Sequence, residues 1–163
     1  MMVSMTTSIP DDVDVLVALL NTTPVVDGRA TETLDGAWLR AHGGAELGVG
    51  AARRLRDALQ QVVRGEAVPT SLGDYLDGVV QRPELSSDGV QWRLDAGWAA
   101  RLVLAWGELA ATQPGRLRPC ANDECHLFLL DRSRAGTARW CSMEVCGNRM
   151  KARRHYGRTA SHT

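Results

Sequence analysis

The chain has no long hydrophobic run. Its longest apolar stretch, Val15–Leu20, has six residues, whereas a membrane-spanning helix needs about 18 or more. The segment Met1–Pro10 also lacks the basic start, apolar stretch and small-residue cleavage site of a secretory signal. We therefore expect a cytoplasmic protein in a reducing compartment, without membrane contact.

The sequence motifs of common enzyme classes are also missing. There is no nucleophile elbow, no phosphate-binding glycine loop, and no serine or cysteine with an evident base. Gly48 and Gly50 precede a predicted helix without the strand and the third glycine of a dinucleotide site. We expect that the protein is not an enzyme.

Cysteine is absent from the first 119 residues, and the four that follow form two matched pairs. They are Cys120, Cys125, Cys141 and Cys146, in the pattern C-x4-C-x15-C-x4-C. Such pairs can place four sulfurs tetrahedrally at about 2.3 Å from one Zn²⁺ ion. Zinc knuckles usually have about two to four residues between their cysteines, so this spacing is a strong but not diagnostic signal of zinc. Two disulfides are the alternative. The reducing compartment favours Zn²⁺. His126 adjoins Cys125, but four thiolates already complete the shell.

The net charge is zero, but the charges are unevenly distributed. Residues 1–115 contain 9 basic and 15 acidic residues, a balance of −6, whereas residues 116–163 contain 10 and 4, a balance of +6. Four thiolates and one Zn²⁺ would add −2, which leaves a zinc-loaded tail at about +4. This charge would attract a polyanion. Some arginines would instead neutralise the sulfur cluster. We expect both roles, because the basic residues extend well beyond the last cysteine.

Helical spacing dominates the acidic body. Val13, Leu16, Val17 and Leu20 share one helix face, although alternation of apolar residues there leaves a strand open. The later predicted helices include Leu34–His42, Ala51–Arg64, which ends at Gly65, and Trp98–Thr112. A further short helix is predicted to begin with a capping box at Ser71 and Asp74 and to continue through Val79 and Val80. Alternation over Val90–Leu94 predicts a small hairpin. The predicted core consists of Leu16, Leu20, Trp38, Leu55, Leu59, Leu76, Trp98, Leu102 and Trp106.

The tail has the sequence pattern of a small domain that a bound metal ion stabilises. An apolar run at 126–130 predicts a strand. Residues 131–136 are predicted to form a turn, and Ala138–Trp140 the returning strand. A helix is predicted from Cys146 onward. The predicted fold class is mainly α. It combines a helical N-terminal domain carrying a small hairpin with a C-terminal, four-cysteine zinc finger of treble-clef or zinc-ribbon-like type.

The stretch CANDECHLFLLDRSRAGTARWCSMEVCGNRMKARRHYGR resembles the bacterial CGNR zinc finger, named for residues that stand here as Cys146, Gly147, Asn148 and Arg149. The resemblance also includes Phe128, Asp131, Ser133, Arg134, Trp140, Cys141, Ser142, Met143 and Lys151. Leu130 interrupts the family's Phe-Leu-Asp motif. The body is similar, more weakly, to the ABATE-type domain at Leu19–Pro24 and Leu34–Leu39. The resemblance implies a stress-linked transcriptional regulator whose finger is grouped with RNA-binding zinc-ribbon-like modules.

These patterns divide the chain into a disordered start at 1–10, an ABATE-like helical domain at 11–114, the CGNR zinc finger at 116–158 and a tail at 159–163. One face of the C-terminal helix gathers the candidate nucleic-acid-binding residues Lys151, Arg154, His155 and Arg158. Arg149 lies on the other face, where we expect it to be buried and to need a partner such as Asp131. Asn21 and Thr22 are candidate ligand-binding residues. Alternatively, Asn21 caps the preceding helix and begins a turn.

The favoured function is a zinc-dependent, nucleic-acid-binding transcriptional regulator. Its finger would contact DNA or RNA, and its body would sense a small-molecule effector or oligomerise. The alternative is a protein-interaction module in which zinc is purely structural. An enzyme with a pocket near Asn21 ranks third.

Overall fold

A computed structural model of the chain describes residues 9–153. About half of these residues are helical, and the strands form three two-stranded antiparallel hairpins. The α-helices are α1 (Ile9–Leu20), α2 (Gly36–Ala41), α3 (Val49–Arg64), α4 (Trp98–Thr112) and a last helix at 148–153. There are 3₁₀ turns at Ala45–Leu47 and Pro69–Leu76. The hairpins are β1 (Val25–Val26) with β2 (Arg29–Ala30), β3 (Val80–Ser86) with β4 (Gly89–Asp95), and β5 (Leu117–Pro119) with β6 (Phe128–Leu130). Within the described range, none of the helices is both long enough and apolar enough to cross a membrane.

Helices α1, α3 and α4 form the hydrophobic core. The first segment is a helix rather than a strand, and it begins at Ile9, inside the predicted start segment. Five of the nine predicted core residues are fully buried: Leu16, Leu20, Leu55, Leu59 and Leu102. The three predicted tryptophans are partly buried against this cluster. Leu76 was expected in the core, and this prediction is wrong: it is 36% exposed, at the edge of a cavity beside α4.

The predicted end of α3 at Gly65 is confirmed. Gly65 has a φ of 75°, which a residue without a Cβ adopts at little cost. The Gly65 amide donates to the Val62 carbonyl at 3.0 Å, and the Glu66 amide donates to the Gln61 carbonyl at 2.8 Å. These two bonds form a Schellman motif, which satisfies carbonyls that the end of the helix leaves free.

The chain from 69 to 95 departs from its predicted helix. The predicted capping box at Ser71 is wrong, because Pro69 begins a 3₁₀ turn and the Ser71 hydroxyl donates to the Val68 carbonyl at 2.8 Å. Val80 belongs to β3 rather than to a helix, and Pro83 lies within the same strand, opposite Trp92. The predicted hairpin around Val90–Leu94 is confirmed, but it is longer than its alternation indicated.

The finger and the body share one core. Phe128 of β6 is buried in the same cluster as the leucines of α1 and α3. The guanidinium of Arg64 lies 4.6 Å from the centroid of the Phe128 ring, a distance at which a cation is attracted to an aromatic face. The predicted domain boundary between 114 and 116 is therefore followed closely by a strand of the finger, β6, that packs into the core of the body.

A candidate metal centre

The four cysteines converge as the sequence pattern predicts. Their sulfurs all lie within 4.8 Å of one another. The Cys125 and Cys141 sulfurs are 3.6 Å apart, and those of Cys141 and Cys146 are 3.7 Å apart. A tetrahedron of sulfurs at about 2.3 Å from a central Zn²⁺ has edges of about 3.8 Å, whereas a disulfide joins its sulfurs at about 2.05 Å. All four thiols are free, so the disulfide alternative does not fit this structure.

Two short loops position the cysteines. The first follows β5, where the Cys120 amide donates to the Leu127 carbonyl at 2.8 Å and so closes the loop against β6. The second is capped by Ser142, whose hydroxyl accepts from the Val145 amide at 3.4 Å. The Gly147 amide then donates to the Ser142 carbonyl five residues back, at 3.0 Å. This wide turn, Met143–Gly147, leads into a helix at 148–153. A helix therefore follows the second cysteine pair as predicted, but Cys146 lies in the turn that precedes it.

The hairpin predicted inside the finger paired β6 with the wrong segment of the chain. β6 pairs with β5, in the register Leu117 to Leu130 and Pro119 to Phe128. Ala138–Trp140 is not a strand. The Ala121 amide does donate to the Arg139 carbonyl at 2.8 Å, so this segment still runs beside the first cysteine loop.

Asn122 is a contributor to the site that the sequence reasoning missed. Its side chain is fully buried, and its Nδ2 donates to the Cys146 sulfur at 3.5 Å. The Cys141 amide donates to the Cys120 sulfur at 3.4 Å. Donors of this kind stabilise thiolates and orient them toward a metal ion. The sequence did contain a signal for this role. Asn122 lies between two cysteines, and a short loop there can turn its amide side chain toward the sulfurs.

The pKa values of three of the four clustered thiols are shifted. Burial raises the pKa of Cys125 to about 11, and burial also raises the pKa of Cys141. Burial opposes ionisation of Cys146 as well, but the hydrogen bond from Asn122 and those with neighbouring thiols hold its pKa below the ordinary value. The raised pKa values mean that Cys125 and Cys141 must give up protons when they bind a metal ion. A set of four thiolates suits Zn²⁺.

Asp131 fixes the loop between the two cysteine pairs. Its buried carboxylate accepts from the Ser133 hydroxyl at 2.6 Å, from the Ser133 amide at 2.9 Å and from the Ala138 amide at 2.9 Å. Arg118 of β5 forms an ion pair with it. Hydrogen bonds from Ser133, together with those from Ala138 and the charge of Arg118, lower the pKa of Asp131 to about 2.

The predicted pairing of a buried Arg149 with Asp131 is wrong. Arg149 is half-exposed and lies 3.9 Å from the Glu124 carboxylate, which also pairs with Arg153. Arg149 and Arg153 do lie on one face of the helix, as the helical spacing predicts. Asp131 instead takes its cation from Arg118, on the neighbouring strand.

Gly147 leaves room for two side chains that pack over the second cysteine loop. A Cβ at this position would lie 2.8 Å from the Met143 sulfur and 3.3 Å from Cδ1 of Trp140. Both distances are shorter than ordinary contact. Gly147 thus lets Trp140 lie against the turn that holds Cys146.

The candidate nucleic-acid-binding residues are only partly described. Lys151 is exposed and makes no ion pair within residues 9–153. Arg154, His155 and Arg158 lie outside the described residues. Most other cations of the described finger are paired: Arg116 and Arg118 with Asp131, Arg132 with Asp14, and Arg149 and Arg153 with Glu124.

Three basic side chains of the described finger remain without an ion pair: Arg134, Arg139 and Lys151. Sequence reasoning did not select the first two for binding. The Arg139 guanidinium lies 5.4 Å from the centroid of the partly exposed Trp140 ring.

Asn21 and Thr22 connect parts of the fold. Nδ2 of Asn21 donates to the Phe128 carbonyl at 3.1 Å, and its Oδ1 accepts from the Phe128 amide at 2.7 Å. The buried Thr22 hydroxyl donates to the Leu19 carbonyl at 2.8 Å and accepts from Arg56 at 3.2 Å. These bonds give both residues a structural role, and ligand binding by them stays a prediction.

Residues 116–159 match the family model of the CGNR zinc finger. The match includes all four cysteines of the cluster. A comparison with curated proteins found no match. This segment is thus similar to a known zinc finger, and its cysteines have the geometry of a metal site.

Proposed function

We propose that the protein is a zinc-dependent, nucleic-acid-binding transcriptional regulator. Its finger contacts DNA or RNA, and its helical body is a sensing or oligomerising domain. The observation that carries the proposal is that Arg134, Arg139 and Lys151 of the described finger make no ion pair, and that the Arg139 guanidinium lies near the Trp140 ring. In the proposal these four residues bind together, and we call them the basic surface.

The basic surface combines the two groups that nucleic acids bind best. Cations attract phosphates and release counterions from them, and an exposed aromatic ring can stack on a base. Trp140 packs over Gly147, at the turn that leads into the helix carrying Lys151. The second cysteine loop therefore connects the aromatic ring to the basic helix, so the metal would hold both parts in position.

The role of zinc in this proposal is structural. Cys120, Cys125, Cys141 and Cys146 would bind one Zn²⁺ and leave no coordination position open for a substrate or a water nucleophile. A finger of this size buries little apolar surface of its own, so metal binding supplies much of its folding free energy. Our expectation that the protein is not an enzyme rests on this closed shell and on the absent motifs.

The test is nucleic-acid binding by the zinc-loaded full chain at two salt concentrations. Fluorescence anisotropy with DNA and RNA pools should show binding that weakens as salt rises. The double variant R139A/K151A should bind more weakly to every sequence, with a log–log salt slope lower by up to about two. Zinc content should not change, because neither residue contacts a sulfur.

The matched control is the double variant R40A/R54A, which removes the same charge from exposed positions of the body. It should bind as the wild type does. Equal binding by the wild type and R139A/K151A across the salt range would contradict the proposed surface. The helix face predicted from the sequence would then be tested by replacing Lys151, Arg154 and Arg158 together with alanine.

A second candidate function is a protein-interaction module with purely structural zinc. It is favoured by Met143 and Val145, which are each more than half exposed although they flank the buried Cys146. Exposed apolar side chains on a rigid loop can anchor a protein partner. A zinc-loaded protein that retains neither DNA nor RNA at low salt would favour this candidate over the first.

A further inference from the structure

The β3–β4 hairpin is largely unsupported by the rest of the molecule. Every residue of its two strands is exposed except Leu94, which is partly buried. Leu85 is 87% exposed and Trp92 is 41% exposed. A two-stranded hairpin alone is at best marginally stable in water, and a third strand or a packed face is normally needed.

The register gives the hairpin one polar and one apolar face. Directly opposed residues point to the same side of an antiparallel pair. Arg82 and Arg93 therefore share the polar face with Asp95 and Glu84. Arg82 forms an ion pair with Asp95 at 3.6 Å, and Arg93 forms one with Glu84 at 3.3 Å. The other face carries Pro83, Leu85, Val90, Trp92 and Leu94, together with Gln81 opposite Leu94.

Only one edge of the hairpin can accept another strand along its whole length. Pro83 has no N–H, so its pair with Trp92 is of the type without hydrogen bonds. By alternation, the amides of Val90, Trp92 and Leu94 point away from β3, toward the free edge of β4. The opposite edge contains Pro83 itself, which interrupts any ladder there.

We propose that this edge is a homodimer interface, in which β4 pairs antiparallel with β4 of a second copy around a two-fold axis at Trp92. Trp92 would then face its own copy, and Val90 would lie opposite Leu94 of the partner subunit. Three outward amides from each copy would form about six backbone hydrogen bonds. Gln91 would face Arg93 of the partner subunit, so no like charges stand directly opposite each other.

The same register gives the apolar face a place to dock. A cavity of about 500 Å³ lies beside the base of the hairpin, lined by Leu72, Leu76, Leu94 and Trp106 among others. Pairing around Trp92 places the tip of each hairpin, with Leu85 and Val90, next to the base of the other. A two-fold axis perpendicular to the sheet keeps both apolar faces on one side. Each tip would therefore bring Val90 next to Leu94 of the partner subunit, at the edge of the cavity.

A stable dimer must bury more than the two strand edges. Specific interfaces bury about 800 Å² on each partner, which a pair of strand edges alone does not supply. The exposed tip and the cavity are continuous through Leu94, so one dimer covers the edge, the apolar face and the cavity together. The dimer goes beyond the proposed nucleic-acid function and does not depend on it.

Sedimentation of the zinc-loaded full chain tests the dimer. The wild type should sediment as a dimer that dissociates on dilution. V90P removes an outward amide without breaking a bond to β3, so it should shift the protein to monomer at concentrations where the wild type is dimeric. Q81P places a proline on the opposite edge and should remain a dimer. A monomeric wild type, or equal dimerisation by V90P and the wild type, would overturn the proposal.

Cysteine cross-linking tests the register even if V90P folds poorly. Residues facing each other across a hydrogen-bonded antiparallel pair have Cα atoms about 5.5 Å apart, a distance that a disulfide can span. W92C should therefore form a covalent dimer under mild oxidation. L85C should not, although Leu85 is the more exposed of the two side chains. Preferential cross-linking of L85C would overturn the register.

Discussion

Replacing Asn21 with alanine should destabilise the whole protein, because this side chain satisfies both backbone groups of Phe128. The two hydrogen bonds act like those of an additional strand on the free edge of β6. Leaving a buried donor or acceptor without a partner costs about 1–3 kcal/mol each. Since the site is only partly buried, we expect N21A to lower the free energy of unfolding by roughly 2–4 kcal/mol.

Urea unfolding of the zinc-loaded protein, followed by tryptophan fluorescence, measures this change. A loss of about 3 kcal/mol corresponds to a Tm lower by about 6–12 °C for a chain of this size. The control is N148A, which removes one hydrogen bond from an exposed amide to the Glu144 carbonyl and should change stability by less than about 0.5 kcal/mol. A change in N21A no larger than that in N148A would refute the reasoning.

Three further predictions concern the finger. N122A should lower zinc affinity by about 10–100-fold in a chelator competition, because it removes a buried donor to the Cys146 sulfur; an unchanged affinity would contradict this role. Zinc binding should release protons at about pH 7 and weaken as pH falls, because the raised pKa values keep Cys125 and Cys141 protonated without metal. Calorimetry in buffers of different ionisation enthalpy counts these protons, and fewer than about two per zinc would contradict it. F128A should lower the free energy of unfolding by roughly 3–5 kcal/mol, whereas V68A, at an exposed position, should have little effect.

Local sequence patterns predicted the features that depend on neighbours along the chain. The spacing of apolar residues identified α1, α3 and α4, and Gly65 marked the end of α3 correctly. The four cysteines were found because their pairing is visible in the sequence itself. For the helices, the residues that give the signal lie within a few turns of the structure that they predict.

Features that depend on distant parts of the chain could not be predicted. The partner of β6 is the three-residue strand β5, which carries too few residues to show a period. Arg118 reaches Asp131 only because that strand pairing exists. Asn21 lies 107 positions from Phe128, and a polar residue after a helix is most simply interpreted as a cap. Val80 fits both the apolar face of a helix and a strand. Both faces of the hairpin are exposed, so no pattern of burial distinguishes the strand from the helix.

The measurement that tests the central claim most directly is X-ray absorption at the zinc edge of the zinc-loaded full chain, together with metal analysis. The account predicts one zinc per chain, surrounded by four sulfurs at about 2.3 Å. A shell in which nitrogen or oxygen replaces any sulfur, or a metal-free protein whose cysteines form two disulfides, would contradict it.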